Sequence, residues 1–178
     1  MGSVVDSIEA EYRRYRKLGE DAFAQLSDEQ LAVAGSDTDN SVATVAWHIA
    51  GNLRSRFTDF LESDGEKPWR DRESEFLPRR PTRDELLTFW RQGWDALDAA
   101  LRHLDDGDLG RTVTIRGQPL TVLEALHRSL AHASYHVGQI VYAAKALRGA
   151  EWKSLSIPRG KSAEYNRNPT LEKPGARS

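Results

Sequence analysis

Apolar residues recur at helical spacing in four separate stretches of this chain, and that repetition constrains the fold more than any other feature. Ile8, Tyr12, Tyr15, Ala22 and Leu26 share one face of a helix over 4–26. Val45, Ile49, Leu53, Phe57, Phe60 and Leu61 do so over 41–63, and Leu86, Trp90, Trp94, Leu97, Leu101 and Leu104 over 82–104. The last set, over 121–147, is Leu123, Leu126, Leu130, Val137, Ile140, Val141, Ala144 and Leu147. Steps near 3.6 residues gather each set into one stripe. The starts are marked too. Ser41 suits an N-cap. Thr82-Arg83-Asp84-Glu85 and Thr121-Val122-Leu123-Glu124 read as capping boxes, in which a hydroxyl and a carboxylate satisfy N–H groups that the first turn leaves open. Four long helices with one apolar stripe each predict an all-α four-helix bundle.

The connections are equally legible. Ser27 to Leu31 adds a short helical turn, and 35–40 is a loop by composition. The stretch 66–80 holds Pro68 and Pro78 among many charges, and a connection of that length in a compact domain is often functional. Thr112 to Ile115 alternates and Arg116-Gly117-Gln118-Pro119 reads as a turn, so a short β-hairpin is expected before the last helix. Gly149 suits the stop of that helix. Residues 1–168 are expected to form one domain, with 152–168 ordered and extended over a pocket or a partner, and 169–178 disordered.

At 178 residues the chain is long enough to bury a sizeable core. A net charge of −2 and the lack of a basic reading helix argue against nucleic acid as a partner. No apolar run approaches 18 residues, so no membrane span is expected. The first residues lack the basic-then-apolar order of a secretory signal, and a cytoplasmic location is the expectation. The chain has no cysteine, which excludes disulfides, zinc–thiolate sites and a cysteine nucleophile.

Against that background three histidines stand out. His132 and His136 are four residues apart, and residues so placed on a helix lie about 40° apart in projection and one turn apart in height. Their imidazoles can converge on one ion. His48, on the second long helix, can supply a third nitrogen, leaving an open position as catalytic metal sites do. His48, Asn52, Ser55 and Asp59 form a polar line on one helix, and Ser129, His132, His136 and Gln139 form another. A bundle that brings these lines face to face has a polar pocket between helices. Asn52 and Gln139 are candidates for binding a cofactor. Asp59, Glu62 and Tyr135 are the candidates for proton transfer, and Asp59 or Glu62 for orienting a ligand histidine. His127 is rotated about 140° from His132, and His103 sits in a charged last turn, so neither reads as a ligand. Trp47, Trp69, Trp90, Trp94 and Trp152 are expected in the core or a pocket wall. Gly51 and Gly138 are expected to permit close helix packing near the metal. Arg54, Arg56, Arg70, Arg72, Arg79 and Arg80 can meet an anionic substrate.

The segments Trp47-His48-Ile49-Ala50-Gly51-Asn52-Leu53 and His132-Ala133-Ser134-Tyr135-His136-Val137-Gly138-Gln139-Ile140 resemble the DinB-like, or YfiT-like, superfamily of metal-binding bundles. Asp64-Gly65-Glu66-Lys67-Pro68-Trp69 and Leu155-Ser156-Ile157-Pro158-Arg159-Gly160 extend the resemblance, which covers about residues 4–168. It implies an up-down-down-up bundle, commonly a homodimer, with zinc or nickel on a histidine triad whose positions here are His48, His132 and His136. Members include transferases and isomerases that use low-molecular-weight thiols such as bacillithiol and mycothiol.

Three functions are compatible with these residues. A metal-dependent S-transferase would exploit the low pKa of a coordinated thiol. A metal-dependent hydrolase would exploit the low pKa of a coordinated water and would turn over without thiol. A non-enzymatic, stress-linked metal-binding protein would do neither.

Overall fold

The computed structural model describes residues 3–36 and 38–172. Four long helices, α1 (Val4–Phe23), α3 (Val42–Phe57), α4 (Arg83–Arg102) and α5 (Val122–Arg148), carry the four stripes. A short α2 (Asp28–Leu31) follows α1, and α6 (Ser162–Tyr165) lies near the end of the described chain. The architecture is the all-α bundle expected, with a two-stranded hairpin before the last long helix. Both expected capping boxes form, at Thr82/Glu85 and at Thr121/Glu124, and Ser3/Asp6 and Ser27/Gln30 form two more. Ser41 caps α3 through its hydroxyl, which accepts from the Thr44 N–H at 3.1 Å.

Two of these helices are shorter than their stripes. Helix α1 stops at Phe23 because Ser27 starts a new cap, and Leu26 is buried from the turn between them. Helix α3 stops at Phe57 rather than near residue 63. Asp59 there takes a φ of 48°, in the left-handed region, and so turns the chain out of the helix. Phe60 stays buried although it is no longer helical.

The core is aromatic at its centre. Trp90 and Trp94 on α4 are fully buried and pack against each other at 5.3 Å between ring centroids. Phe23 meets Trp90 edge-on at 5.1 Å, and Tyr12 meets Trp94 at 6.3 Å. Edge-to-face packing at such separations is favourable beyond the area buried. The Tyr12 hydroxyl donates to the Leu126 carbonyl at 2.9 Å and so ties α1 to α5. Helix α4 comes unusually close to α3. A methyl group at Gly93 would stand 2.6 Å from the Ala50 backbone, so only glycine permits this approach. Trp69 departs from the expectation of a core tryptophan. It is half exposed, with the Arg54 guanidinium 4.8 Å above its ring.

The hairpin pairs β1 (Thr112–Ile115) with β2 (Gln118–Thr121), antiparallel, with Ile115 opposite Gln118. Its turn is two residues long, not the four suggested by composition. Arg116 and Gly117 take φ of 55° and 70°, the left-handed pair of a tight hairpin turn. Asp64 supports that turn by accepting from the N–H groups of Arg116 and Gly117 at 2.8 and 2.7 Å. The Gly117 bond, above all, holds the Asp64 carboxyl down at about 2. The hairpin thereby delivers Ile115 and Arg116 to the wall of a cavity beside α3 and α5.

After α5 the chain is tied to the turn that follows α1. Gln25 holds it in both directions, donating to the Lys153 carbonyl at 3.0 Å and accepting from the Lys153 N–H at 2.8 Å. Trp152 and Leu155 pack on the core. Thr170 and Leu171 donate from their backbone to the Tyr165 hydroxyl at 3.0 and 2.7 Å. Of the segment expected to be disordered, 173–178 lies outside the described residues. No helix among the described residues is long and apolar enough to cross a membrane.

Candidate metal centre

Helix α3 carries His48 and Asn52 on the face turned to α5, and α5 carries His132 and His136 one turn apart. The bundle brings the three imidazoles together. One ligand nitrogen from each lies within 4.8 Å of the others. Nε2 of His48 is 3.2 Å from Nε2 of His132. Two nitrogens held at 2.0–2.1 Å on a tetrahedral ion are separated by about 3.3 Å, so this pair already stands at ligand spacing.

The second ring nitrogen of each of two ligands is occupied. Nδ1 of His48 is 2.8 Å from Oε2 of Glu75, and Nδ1 of His136 is 2.8 Å from Oε1 of Gln139. Both partners accept, which assigns the ring proton to Nδ1 and leaves Nε2 with its lone pair. The Nε2 lone pair of His48 therefore points at Nε2 of His132, 3.2 Å away, where it can accept an N–H or hold a cation. The His132 imidazole is pushed down to about 3, first by burial and then by the charges of His136 and His48, with Arg70 and Arg56 adding to the effect. Burial likewise lowers His136, against the Gln139 hydrogen bond. Converging imidazoles, two of them oriented through Nδ1, fit a divalent ion.

Glu75 is the residue that sequence reasoning missed. It lies on a 3-10 turn (Glu73–Phe76) in the connection 66–80, 27 residues from His48. Burial alone would raise its carboxyl. Arg70 and His48 outweigh that and hold it below the usual carboxylate range. Arg70 forms a bidentate fork, Nε to Oε1 and Nη2 to Oε2, each at 2.8 Å. The Arg70 side chain is only 2% exposed, so Arg70, Glu75 and His48 form a buried relay of charge that fixes the ligand ring. Phe76, next along the turn, packs on the His48 ring at 4.5 Å.

The opening for Glu75 is Gly51. A methyl group there would overlap the Glu75 carboxylate. Gly51 therefore makes room for the carboxylate rather than for a neighbouring helix, and a glycine three residues after a histidine on a buried face is the signal that could have pointed to a visiting side chain. Gly138 does not share this role, since a methyl group there would meet nothing within 4 Å.

The other expected site residues divide. Asn52 is buried and lines the cavity next to His48. Gln139 holds His136. Ser55 is buried and donates to the Gly65 carbonyl at 2.8 Å, anchoring the connection. Asp59 is exposed past the end of α3, and Tyr135 is 64% exposed with its ring 5.0 Å from that of His136. Glu62 is exposed in the turn with Asp59, so the orienting role falls to Glu75. His103 ends α4 and His127 is exposed on α5, and neither joins the cluster.

A cavity of about 200 Å³ opens beside His48 and His132. Asn52, Phe57, Phe60 and Ser129 line part of it, and Arg56, Arg70, Arg72, Arg116 and Arg128 line the rest.

A family model described as protein of unknown function (DUF1572) matches residues 2–161. No curated protein matches the sequence. The fold is similar to that of a conserved protein from Enterococcus faecalis, at a TM-score of 0.64 and 16% identity over 83% of this chain and 98% of that one. It is also similar to a DinB-like protein from Bacillus cereus ATCC 10987, at a TM-score of 0.57 and 16% identity over 82% of this chain and 94% of that one.

Proposed function

Because this chain belongs to the DUF1572 family and has a DinB-like fold, we propose that it is a divalent-metal-dependent S-transferase that uses a low-molecular-weight thiol. The observation that carries the reading is the convergence of three imidazoles, two of which line a cavity walled by guanidinium groups. Zinc or nickel bound there would lower the pKa of a coordinated thiol and so supply thiolate near neutral pH.

The chain's own residues prepare that chemistry. Glu75 holds His48 through Nδ1, and Gln139 holds His136 through Nδ1, so Nε2 of each ring is directed without further reorganisation. Phe57, Phe60 and Ile115 give the cavity apolar wall, where a small thiol can pack its carbon atoms. Among the described residues no carboxylate lines the cavity, and the guanidinium groups favour an ionised sulfur over a protonated one. The absence of cysteine means that the nucleophilic thiol must be brought in.

The test has two steps. Elemental analysis of untagged protein is expected to find near one zinc or nickel per chain, lost in a His48→Ala/His132→Ala/His136→Ala variant. The loaded protein is then assayed with small thiols against electrophiles. Thiol consumption that requires the metal supports the reading. Turnover of an ester or amide in the absence of thiol would replace it with hydrolysis, and bound metal with neither reaction would leave a metal-binding protein.

A further inference from the structure

Five arginines from separate parts of the chain line one small cavity. Arg56 comes from α3, Arg70 and Arg72 from the connection after it, Arg116 from the hairpin turn and Arg128 from α5. Among the described residues three carboxylates pair with them, and Glu73 is the partner of Arg72 at 2.9 Å. Glu75 is held by Arg70 and His48. Glu66 is shared by Arg56 at 3.0 Å, Arg116 at 3.0 Å and Arg70 at 3.7 Å. The positive charge therefore exceeds the negative around the cavity, in a molecule whose net charge is −2. Gathering like charges costs free energy, and folding does not require it. Burial sharpens the point. Nη1 of Arg70 has no hydrogen-bond partner among the described residues, although the side chain is 2% exposed. A buried donor without a hydrogen bond on a charged group is costly even with Glu66 at 3.7 Å, and an oxyanion in the cavity would satisfy it. Arg128 is exposed and makes no hydrogen bond or ion pair among the described residues, so it too is available to a ligand.

We propose that this cavity is an oxyanion subsite, and that the small molecule acted on at the histidine cluster carries a carboxylate or phosphate group held by Arg70, Arg116 and Arg128. The proposal rests on the S-transferase reading only for what happens next door. The anion would enter with its charged end among the arginines and its reacting group toward His48 and His132, which line the same cavity. Planar guanidinium forks match carboxylate and phosphate oxygens in pairs, so such a subsite would orient the ligand as well as bind it.

The test is calorimetric titration of the full-length, metal-free protein with succinate and, separately, with inorganic phosphate, at low ionic strength. Saturable binding by one of them is expected, which also tells the two anion classes apart, and added salt is expected to weaken it. Arg128→Gln is expected to weaken it about tenfold, the loss of one charge-assisted hydrogen bond. Arg91→Gln, on α4 away from the cavity, is expected to bind as the parent does. The proposal is overturned if neither anion saturates below ~10 mM. Equal effects of Arg128→Gln and Arg91→Gln would also overturn it, by making the binding a general charge effect. A final arm separates it from the S-transferase reading. Mercaptosuccinate is expected to bind the zinc-loaded protein more tightly than 2-mercaptoethanol, with the advantage reduced in Arg128→Gln. Equal binding of the two thiols would sink the subsite and leave the thiol chemistry standing. Binding of succinate without any metal-dependent thiol reaction would do the reverse.

Discussion

Replacing Glu75 with glutamine keeps the shape of the side chain and removes its charge, and the structure places two separate costs on that change. The first is to stability. Arg70 is 2% exposed and its fork to Glu75 uses both carboxylate oxygens at 2.8 Å. Removing one partner of a buried pair typically destabilises by about 3–5 kcal/mol, because the other charge is left behind. Glu66, 3.7 Å from Nη1 of Arg70, offsets part of that, so the lower end of the range is expected. At about 2–4 °C per kcal/mol for a chain of this size, metal-free Glu75→Gln should melt roughly 6–12 °C below the parent. The second cost is to the metal. The glutamine carbonyl can still accept from Nδ1 of His48, but as a neutral acceptor, and loss of such an orienting carboxylate typically weakens metal binding about 10–100-fold. Calorimetry of the metal-free protein reads the first and competition with a chromophoric chelator reads the second. A double-mutant cycle with Arg70→Met isolates the pair, since Glu75→Gln should cost less where Arg70 is already gone. A melting temperature within about 2 °C of the parent, together with unchanged metal affinity, would refute the buried relay.

Two further expectations follow from the same geometry. Gly51→Ala and Gly138→Ala should act in opposite senses. Each gains up to ~1 kcal/mol of helix propensity, but the new methyl at 51 displaces the Glu75 carboxylate while that at 138 meets nothing within 4 Å. Denaturant unfolding should show Gly138→Ala stabilised by about 0.5–1 kcal/mol and Gly51→Ala destabilised, and the opposite order would contradict the packing of Glu75. The pH dependence has a defined sign. His132 is lowered in the folded state from 6.5 to about 3, so below pH 6.5 the unfolded chain takes up a proton that the folded chain refuses. Metal-free stability is therefore complete above that pH and falls as pH drops toward 3. His132→Ala should flatten the fall between pH 6.5 and about 5, above the range where ordinary carboxylates titrate. An unchanged slope in that window would show that His132 is not held neutral.

Helix existence, caps and the histidine pair on the last long helix were legible in the sequence because they depend on local spacing. A stripe at period 3.6, a hydroxyl three residues before a carboxylate, and two histidines four apart carry their meaning within a few turns of chain. Thr82/Glu85 and Thr121/Glu124 formed as read, and His132 and His136 share a face as read. The ends of α1 and α3 were less legible. Leu26 and Phe60 are as apolar as their helical neighbours and are buried whether or not the backbone stays helical, so the stripe continues past the helix.

What only the tertiary structure decided is what surrounds the three histidines. The choice of Glu75 over Asp59 or Glu62 as the partner of His48 depends on where a proline-containing connection folds back, and the notch at Gly51 has meaning only once something fills it. The cavity is of the same kind. Arg56, Arg70, Arg72, Arg116 and Arg128 span 73 positions of the sequence and read singly as surface charge. For Arg56 and Arg70 the cost, and so the information, arises when burial removes the water that would otherwise screen them. Periodicity is a property of the chain, whereas desolvation is a property of the packed molecule.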